Sequence, residues 1–173
     1  MVHMKHEHEA DIDVKVGAIT VSTSRWKKYG SVSGIENIPP DDTSGKIIVN
    51  ELNCIEYKLV PDDKNRIICA VLDMLNRLDV VVTTGGTGIS PKDVTIEAIK
   101  SIVDKELEGF GEIFRYLSYK EIGESAIITR AFAGVLNGRV IFCLPGSSKA
   151  VELGVKIIKP VLKHVVSHAR GLR

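Results

Sequence analysis

The sequence predicts an α/β fold: a mostly parallel sheet covered by helices on both faces. Three observations carry that prediction. Short aliphatic runs, at residues 14–22, 79–82 and 139–144, have the near-continuous hydrophobicity of strands buried on both faces. Between such runs, apolar residues recur at helical spacing. The strand runs end in polar turns rich in Ser, Thr, Gly and Asp, and right-handed crossovers bring the carboxyl ends of parallel strands to one edge. Only 5% of residues are aromatic, so the core must be built from Ile, Val and Leu.

Each element can be justified in order. Residues 1–12 read as a flexible, histidine-bearing tail (His3, His6, His8), and 13–173 as one domain. Residues 14–22 form a first strand closed by Ser22-Thr23-Ser24-Arg25. Residues 26–41 carry Gly30, Gly34, Pro39 and Pro40 with little periodicity, which predicts a mobile loop, either a lid or a surface insertion. Trp26 and Tyr29 in it can stack on a ring ligand or fold back onto the surface. Asp42-Thr43-Ser44-Gly45 supplies cap chemistry for a helix over 46–53, with Ile47, Ile48 and Leu52 inward.

A second strand at 54–60 ends in Pro61-Asp62-Asp63. Ile67, Ile68, Val71, Leu72, Leu75 and Leu78 then mark a helix over 63–78. The third strand runs into a glycine-rich turn, followed by a helix near 92–103 that Pro91 can open. Residues 109–119 form a glycine-punctuated helix, and 126–135 fit either a helix or an irregular buried segment. The strand at 139–144 ends in Pro145-Gly146-Ser147-Ser148. A last helix starts near 148 and is kinked at Pro160, which removes a hydrogen bond and crowds the preceding turn.

Composition excludes several classes. A net charge of +1 does not suit a large nucleic-acid footprint. No apolar run approaches the roughly 20 residues that span a bilayer, and residues 1–13 lack the apolar stretch of a secretory signal. Cys54, Cys69 and Cys143 are odd in number and scattered in apolar stretches, which predicts buried thiols and a cytoplasmic home. His164 and His168 have metal-compatible i, i+4 spacing but no third ligand nearby, so they read as complementing a helix carboxyl end.

The chemistry concentrates in Thr83-Thr84-Gly85-Gly86-Thr87-Gly88-Ile89-Ser90-Pro91-Lys92-Asp93-Val94-Thr95. Gly85, Gly86 and Gly88 allow positive φ and close approach of backbone N–H groups to a ligand. Thr83, Thr84, Thr87 and Ser90 add hydroxyls around the same turn. The spacing fits neither a Walker A loop nor a dinucleotide fingerprint. A carboxylate beside an anion cradle is unusual unless it holds a metal or a water, so Asp93 makes the signal more specific. Asp62, just beyond a second strand end, has the same character; the bland alternative for both aspartates is helix capping.

In order and at matching separations, the chain carries Asp42-Thr43-Ser44-Gly45, Val60-Pro61-Asp62, the glycine-threonine run with Asp93-Val94-Thr95, Gly109-Phe110-Gly111-Glu112 and Leu144-Pro145-Gly146-Ser147. Over residues 13–168 it closely resembles the MoaB/MogA family of molybdenum-cofactor biosynthesis proteins, and its Leu144–Ala150 ending resembles the MoaB branch. The resemblance implies a three-layer α/β/α sandwich and adenylylation of molybdopterin. In that reaction the pterin's terminal phosphate attacks the α-phosphate of ATP and pyrophosphate leaves. It also implies Mg²⁺, a homo-oligomer (trimer or hexamer), and a separate MoeA-type molybdenumtransferase acting downstream.

Carried onto this chain, the resemblance assigns Asp62 and Asp93 to the metal and to nucleotide orientation, in agreement with the carboxylate argument. Thr84, Gly85, Gly86, Thr87 and Gly88 would line the phosphate region. Ser22 and Arg25 would meet the pterin side, and Pro145, Gly146, Ser147 and Ser148 another phosphate or the pterin. For Arg25 the alternative is an ordinary surface cation, and for Ser147 and Ser148 a helix cap. The chain departs from the family pattern at Thr23, where relatives often have Asp, at Lys92 (Arg), and at Ile96 and Glu108 (both Pro). Lys92 keeps a cation without the bidentate reach of a guanidinium. Two further readings stand beside the enzyme: a molybdopterin-binding carrier without transferase activity, and a nucleotide-binding enzyme acting on another phosphorylated small molecule.

Overall fold

The computed structural model describes residues 12–172. The three tail histidines lie outside that range. The elements run β1 (Val16–Val21), α1 (Thr23–Tyr29), β2 (Val32–Ser33), a 3₁₀ turn at Ile35–Asn37, α2 (Thr43–Glu51), β3 (Glu56–Val60), α3 (Lys64–Leu75) and β4 (Val80–Thr84). They continue with α4 (Thr95–Lys100), β5 (Lys105–Glu106), α5 (Glu108–Ile122), a 3₁₀ segment at Gly123–Ile128, β6 (Phe132–Leu136), β7 (Arg139–Leu144), α6 (Ser148–Ile158), a 3₁₀ turn at Lys159–Val161 and α7 (Leu162–Ala169).

The strands form one sheet in the order β2-β3-β1-β4-β7-β6-β5. The central four, β3, β1, β4 and β7, pair in parallel, while β2, β6 and β5 are antiparallel to their neighbours. The parallel centre follows from the sequence: β1 and β4 are buried at every position, as strands covered on both faces must be. One face carries α2, α5, α6 and α7, packed through Ile48, Phe114, Val151, Ile158 and Val166. The other carries α3 and α4, through Ile67, Val71, Met74, Leu75 and Ile99. Gly17 has no side chain because Met74 and Leu78 occupy the space a Cβ would take.

Helix boundaries follow cap chemistry. Ser22, Asp42, Asp63 and Ser147 each accept a backbone N–H at the start of α1, α2, α3 and α6. Asp42 does more than cap. It is fully buried, and its carboxylate also accepts the hydroxyls of Thr20 and Tyr57, each at 2.6 Å. Burial, then this hydrogen bond, push the Tyr57 phenol far above its usual range, so it remains a donor.

Several expectations are corrected. Residues 26–41 are not featureless: they hold most of α1, which ends at Gly30 with φ +73°, and the edge strand β2. The segment 126–135 is mixed: a 3₁₀ helix ends at Ile128, residues 129–131 are irregular, and the rest is the unexpected strand β6. The helix expected near 92–103 begins only at Thr95, so Pro91 lies in the preceding turn and opens no helix. Leu72 faces outward, and Met74 fills the position beneath the sheet. The α6 stripe does break at Pro160, where the 3₁₀ turn separates it from α7.

Cys54 and Cys143 are buried as expected, but Cys69 is exposed on α3. Burial pushes both buried thiols up to about 12, which leaves them protonated and unreactive near neutrality. Iodoacetamide at pH 7 should therefore label the folded protein once, at Cys69, and label all three cysteines in denaturant. Mass spectrometry of a chymotryptic digest reads the difference, and fast labelling of Cys54 or Cys143 in the native state would contradict this packing.

Candidate active site at the carboxyl edge of the sheet

The order of the central strands creates the site. From β1 the chain crosses to β3 on one side, and from β4 it goes on to β7 on the other. The crevice outside the carboxyl ends of β1 and β4 is therefore a topological switch point, where open α/β sheets bind ligands.

Hydrogen bonds latch the four strand ends together there. The Ser22 amide donates to the Val60 carbonyl at 2.9 Å, and the Gly85 amide to the Leu144 carbonyl at 3.1 Å. Thr84 donates its hydroxyl to the Pro145 carbonyl at 3.0 Å, and Ser44 donates to the Gly146 carbonyl at 2.8 Å. Thr95 holds the glycine turn twice, with its amide on the Gly86 carbonyl and its hydroxyl on the Gly85 carbonyl, both at 2.9 Å.

The glycines are used for different reasons. Gly85 and Gly86 have φ of +96° and +65°, and a Cβ on Gly85 would overlap the Val21 carbonyl oxygen at the end of β1. Gly88 does not have positive φ; its bare Cα leaves room for Asp93, whose Oδ2 lies 2.6 Å from where a Cβ would stand. The Gly86, Thr87 and Gly88 amides make no hydrogen bond with another described residue. They are the donors an anion would meet.

Two carboxylates flank this turn. Asp62 Oδ1 lies 2.9 Å from the Cβ position of Gly86. Its other oxygen accepts the amide and hydroxyl of Thr23, at 2.9 and 2.7 Å. Asp93 Oδ2 accepts the Ser90 amide at 3.0 Å. Asp93 caps no helix, and Asp63 rather than Asp62 caps α3. Asp62 does meet the bland alternative in part, since one of its oxygens accepts the first amide of α1 while the other makes no hydrogen bond with a described residue. Neither forms a salt bridge with another described residue. Two free-facing carboxylates beside an amide cradle match Mg²⁺, which takes one or two protein carboxylates together with phosphate oxygens. The described residues hold no cluster of three or more His, Cys, Asp or Glu suited to a self-sufficient metal cage.

The family described as a probable molybdopterin binding domain matches residues 17–164. The chain belongs to that family. It is 43% identical over 165 residues to the probable molybdopterin adenylyltransferase of Methanocaldococcus jannaschii, across 94% of this chain and 98% of the relative. It is 50% identical over 158 residues to molybdenum cofactor biosynthesis protein B of Staphylococcus aureus, across 88% and 90%. The crystal structure of the tungsten cofactor synthesizing protein MoaB from Pyrococcus furiosus superposes with a TM-score of 0.80 at 44% identity, covering 93% of this chain and 99% of that one.

In this molybdopterin-binding-domain chain the sequence-predicted residues divide into two groups. Asp62, Thr84, Gly85, Gly86, Thr87, Gly88, Asp93, Pro145 and Gly146 gather at the glycine turn, with Gly146 packed 3.4 Å (as a Cβ position) from the Gly85 Cα. Ser22 and Ser147 are at the same edge but spend their side chains on capping α1 and α6, and Ser148 is the first residue of α6. Arg25 donates to the Asp41 carbonyl at 3.0 Å, which ties it to the entry of α2. Thr83 leaves the expected hydroxyl group: it is fully buried in β4 beside Cys143.

Trp26 already carries Arg66 over its ring, 4.9 Å from the centroid, so one face is occupied. Sequence reasoning gave no role to Ser44 or Thr95, although both stand inside the quoted motifs. Arg130, which donates to the Gly88 carbonyl at 2.8 Å and pairs with Glu97, had no local signal at all. Gly85→Ala should cost roughly 2 kcal/mol or more, from positive φ and overlap with rigid backbone. Urea denaturation checks this; a change below about 0.5 kcal/mol would mean the turn is free to move.

Proposed function

We propose that this chain is a Mg²⁺- and ATP-dependent molybdopterin adenylyltransferase acting in molybdenum cofactor biosynthesis. The observation that carries the proposal is the placement of Asp62 against Gly86 and of Asp93 against Gly88, in a glycine turn whose N–H groups make no hydrogen bond with another described residue. The names of the relatives at 43% identity support it. In the reaction, an oxygen of the pterin's terminal phosphate bonds to the α-phosphorus of ATP. The bond from that phosphorus to the α,β-bridging oxygen breaks, and pyrophosphate leaves with the electron pair.

Such transfers depend mainly on positioning and charge stabilisation. Magnesium, when bound, supplies the positive charge against which two anionic reactants can be brought together. Asp62 and Asp93 would hold it. The Gly86, Thr87 and Gly88 amides would donate to phosphate oxygens, and the latches from Thr95, Thr84 and Ser44 keep those amides fixed. Preset donors need no reorganisation as charge develops.

The proposal extends to a cytoplasmic homo-oligomer, trimer or hexamer, that delivers its product to a MoeA-type molybdenumtransferase. Three free cysteines and the absence of a membrane-length apolar helix among the described residues agree with it. So does the exposed apolar side of α5, with Ile113, Tyr116, Tyr119 and Ile122, and Ile127 and Ile128 just after it, which association would remove from water.

Purified protein given molybdopterin, ATP and Mg²⁺ should release pyrophosphate, and EDTA should stop it. Asp62→Ala or Asp93→Asn should slow release at least about tenfold, the loss of one charged ligand interaction. Pterin binding without ATP-dependent pyrophosphate release would instead make the chain a carrier. No pterin binding would dispose of both readings.

A further inference from the structure

Thr23 stands where the chain departs from the pattern of the family it resembles, and where the structure shows a closed arrangement of hydrogen bonds. Its hydroxyl accepts the Asp62 backbone N–H at 3.0 Å and donates to Asp62 Oδ2 at 2.7 Å. The Thr23 amide donates to the same oxygen at 2.9 Å. An N–H can only donate, so the direction of every bond is settled: the amide occupies a lone pair of the hydroxyl, and the hydroxyl proton must go to the carboxylate.

Two consequences follow from this clasp. Thr23 has no proton left to offer a ligand, so it works only through Asp62. Asp62, whose terminal torsion is otherwise broad and twofold, has one oxygen fixed by two donors and the other turned toward Gly86 without a hydrogen bond to any described residue. The clasp also joins the first residue of α1 to the segment after β3, so it spans the two strand ends on one side of the switch point.

We propose that Thr23 is a positioning residue that makes Asp62 a one-oxygen ligand, with Oδ2 retained by the protein and Oδ1 presented to the cation and nucleotide. This rests on the assignment of Asp62 given under the proposed function. It predicts a division between two variants that each change one heavy atom of the threonine. Thr23→Val keeps the shape and the amide bond but removes the hydroxyl, leaving the Asp62 N–H unpaired and Oδ2 with one donor. Thr23→Ser keeps the hydroxyl and removes a methyl group.

The test reads metal binding directly. Mn²⁺ is titrated into wild type, Thr23→Val, Thr23→Ser and Asp62→Ala with saturating α,β-methylene ATP, and free Mn²⁺ is followed by electron paramagnetic resonance. Thr23→Val should bind Mn²⁺ about tenfold more weakly, from the loss of a hydrogen bond to a charged group. Thr23→Ser should stay within about twofold of wild type, and Asp62→Ala should lose more than Thr23→Val. In turnover, Thr23→Val should lower kcat with KM for molybdopterin unchanged.

Wild-type Mn²⁺ affinity in Thr23→Val alongside a weakened Asp62→Ala would overturn the positioning role and leave the function standing. Wild-type affinity in Asp62→Ala would remove the assignment beneath it. If Thr23→Val melts far below wild type, Thr23→Ala takes its place in the same comparison with the same two outcomes.

Discussion

The close approach of the glycine turn after β4 to the last carbonyl of β1 is the constraint on which the rest of the carboxyl edge depends. At Gly85 a side chain would strike the Val21 oxygen, and φ of +96° is one that L-residues rarely adopt. The turn therefore lies directly against the end of β1. Asp62 from the next strand end then comes within reach of Gly86. A bulkier turn would separate the two carboxylates from the donors they flank.

Polar groups at the two ends of the sheet are handled in opposite ways. At the amino end, Asp79 is nearly buried and is met by the Lys15 amide, Arg139 and Arg170, which ties the residue after α7 to the start of β4. Its charge is neutralised, and its role is to hold elements together. At the carboxyl end, Asp62 and Asp93 accept only neutral donors from described residues, namely Thr23 and Ser90. Their negative charge is oriented but not cancelled, which suits a site meant to gather cations. The turns around them are fixed by hydroxyl-to-carbonyl bonds from Thr84, Thr95 and Ser44, and by the Arg130 guanidinium on the Gly88 carbonyl, whose charge is met by Glu97.

Reading the chain from its residues succeeded where one local rule dominated. β1, β4 and β7 were visible because doubly covered strands are largely apolar, α2 because Asp42-Thr43-Ser44-Gly45 offers cap chemistry at its start, and α3 because its apolar residues recur at helical spacing. The β6–β7 hairpin was missed although its signal was present. Asn137-Gly138 joins the strands with both residues at positive φ, the conformation a two-residue hairpin turn demands. α1 was missed for a related reason: the Ser22 cap and the Gly30 stop were visible, but a helix of seven residues with no fully buried side chain leaves no periodic stripe. β2 and β5, two residues each, exist only because β3 and β6 offer an edge to pair with.

By itself the sequence determined the parallel centre and the glycine turn, and it singled out the two aspartates that the fold brings to that turn, because strand burial, positive φ and charge are properties of residues and their near neighbours. Only the tertiary structure decided what each group at the edge does. Ser22 and Ser147 became caps, Thr83 became core, and Arg130 arrived at Gly88 from 42 residues away in the chain. The partner of Asp62 was likewise beyond local reading, since Thr23 meets it across 39 residues. A hydroxyl can cap, latch or orient with equal ease, and which it does depends on the acceptor that the folded sheet places within 3 Å of it.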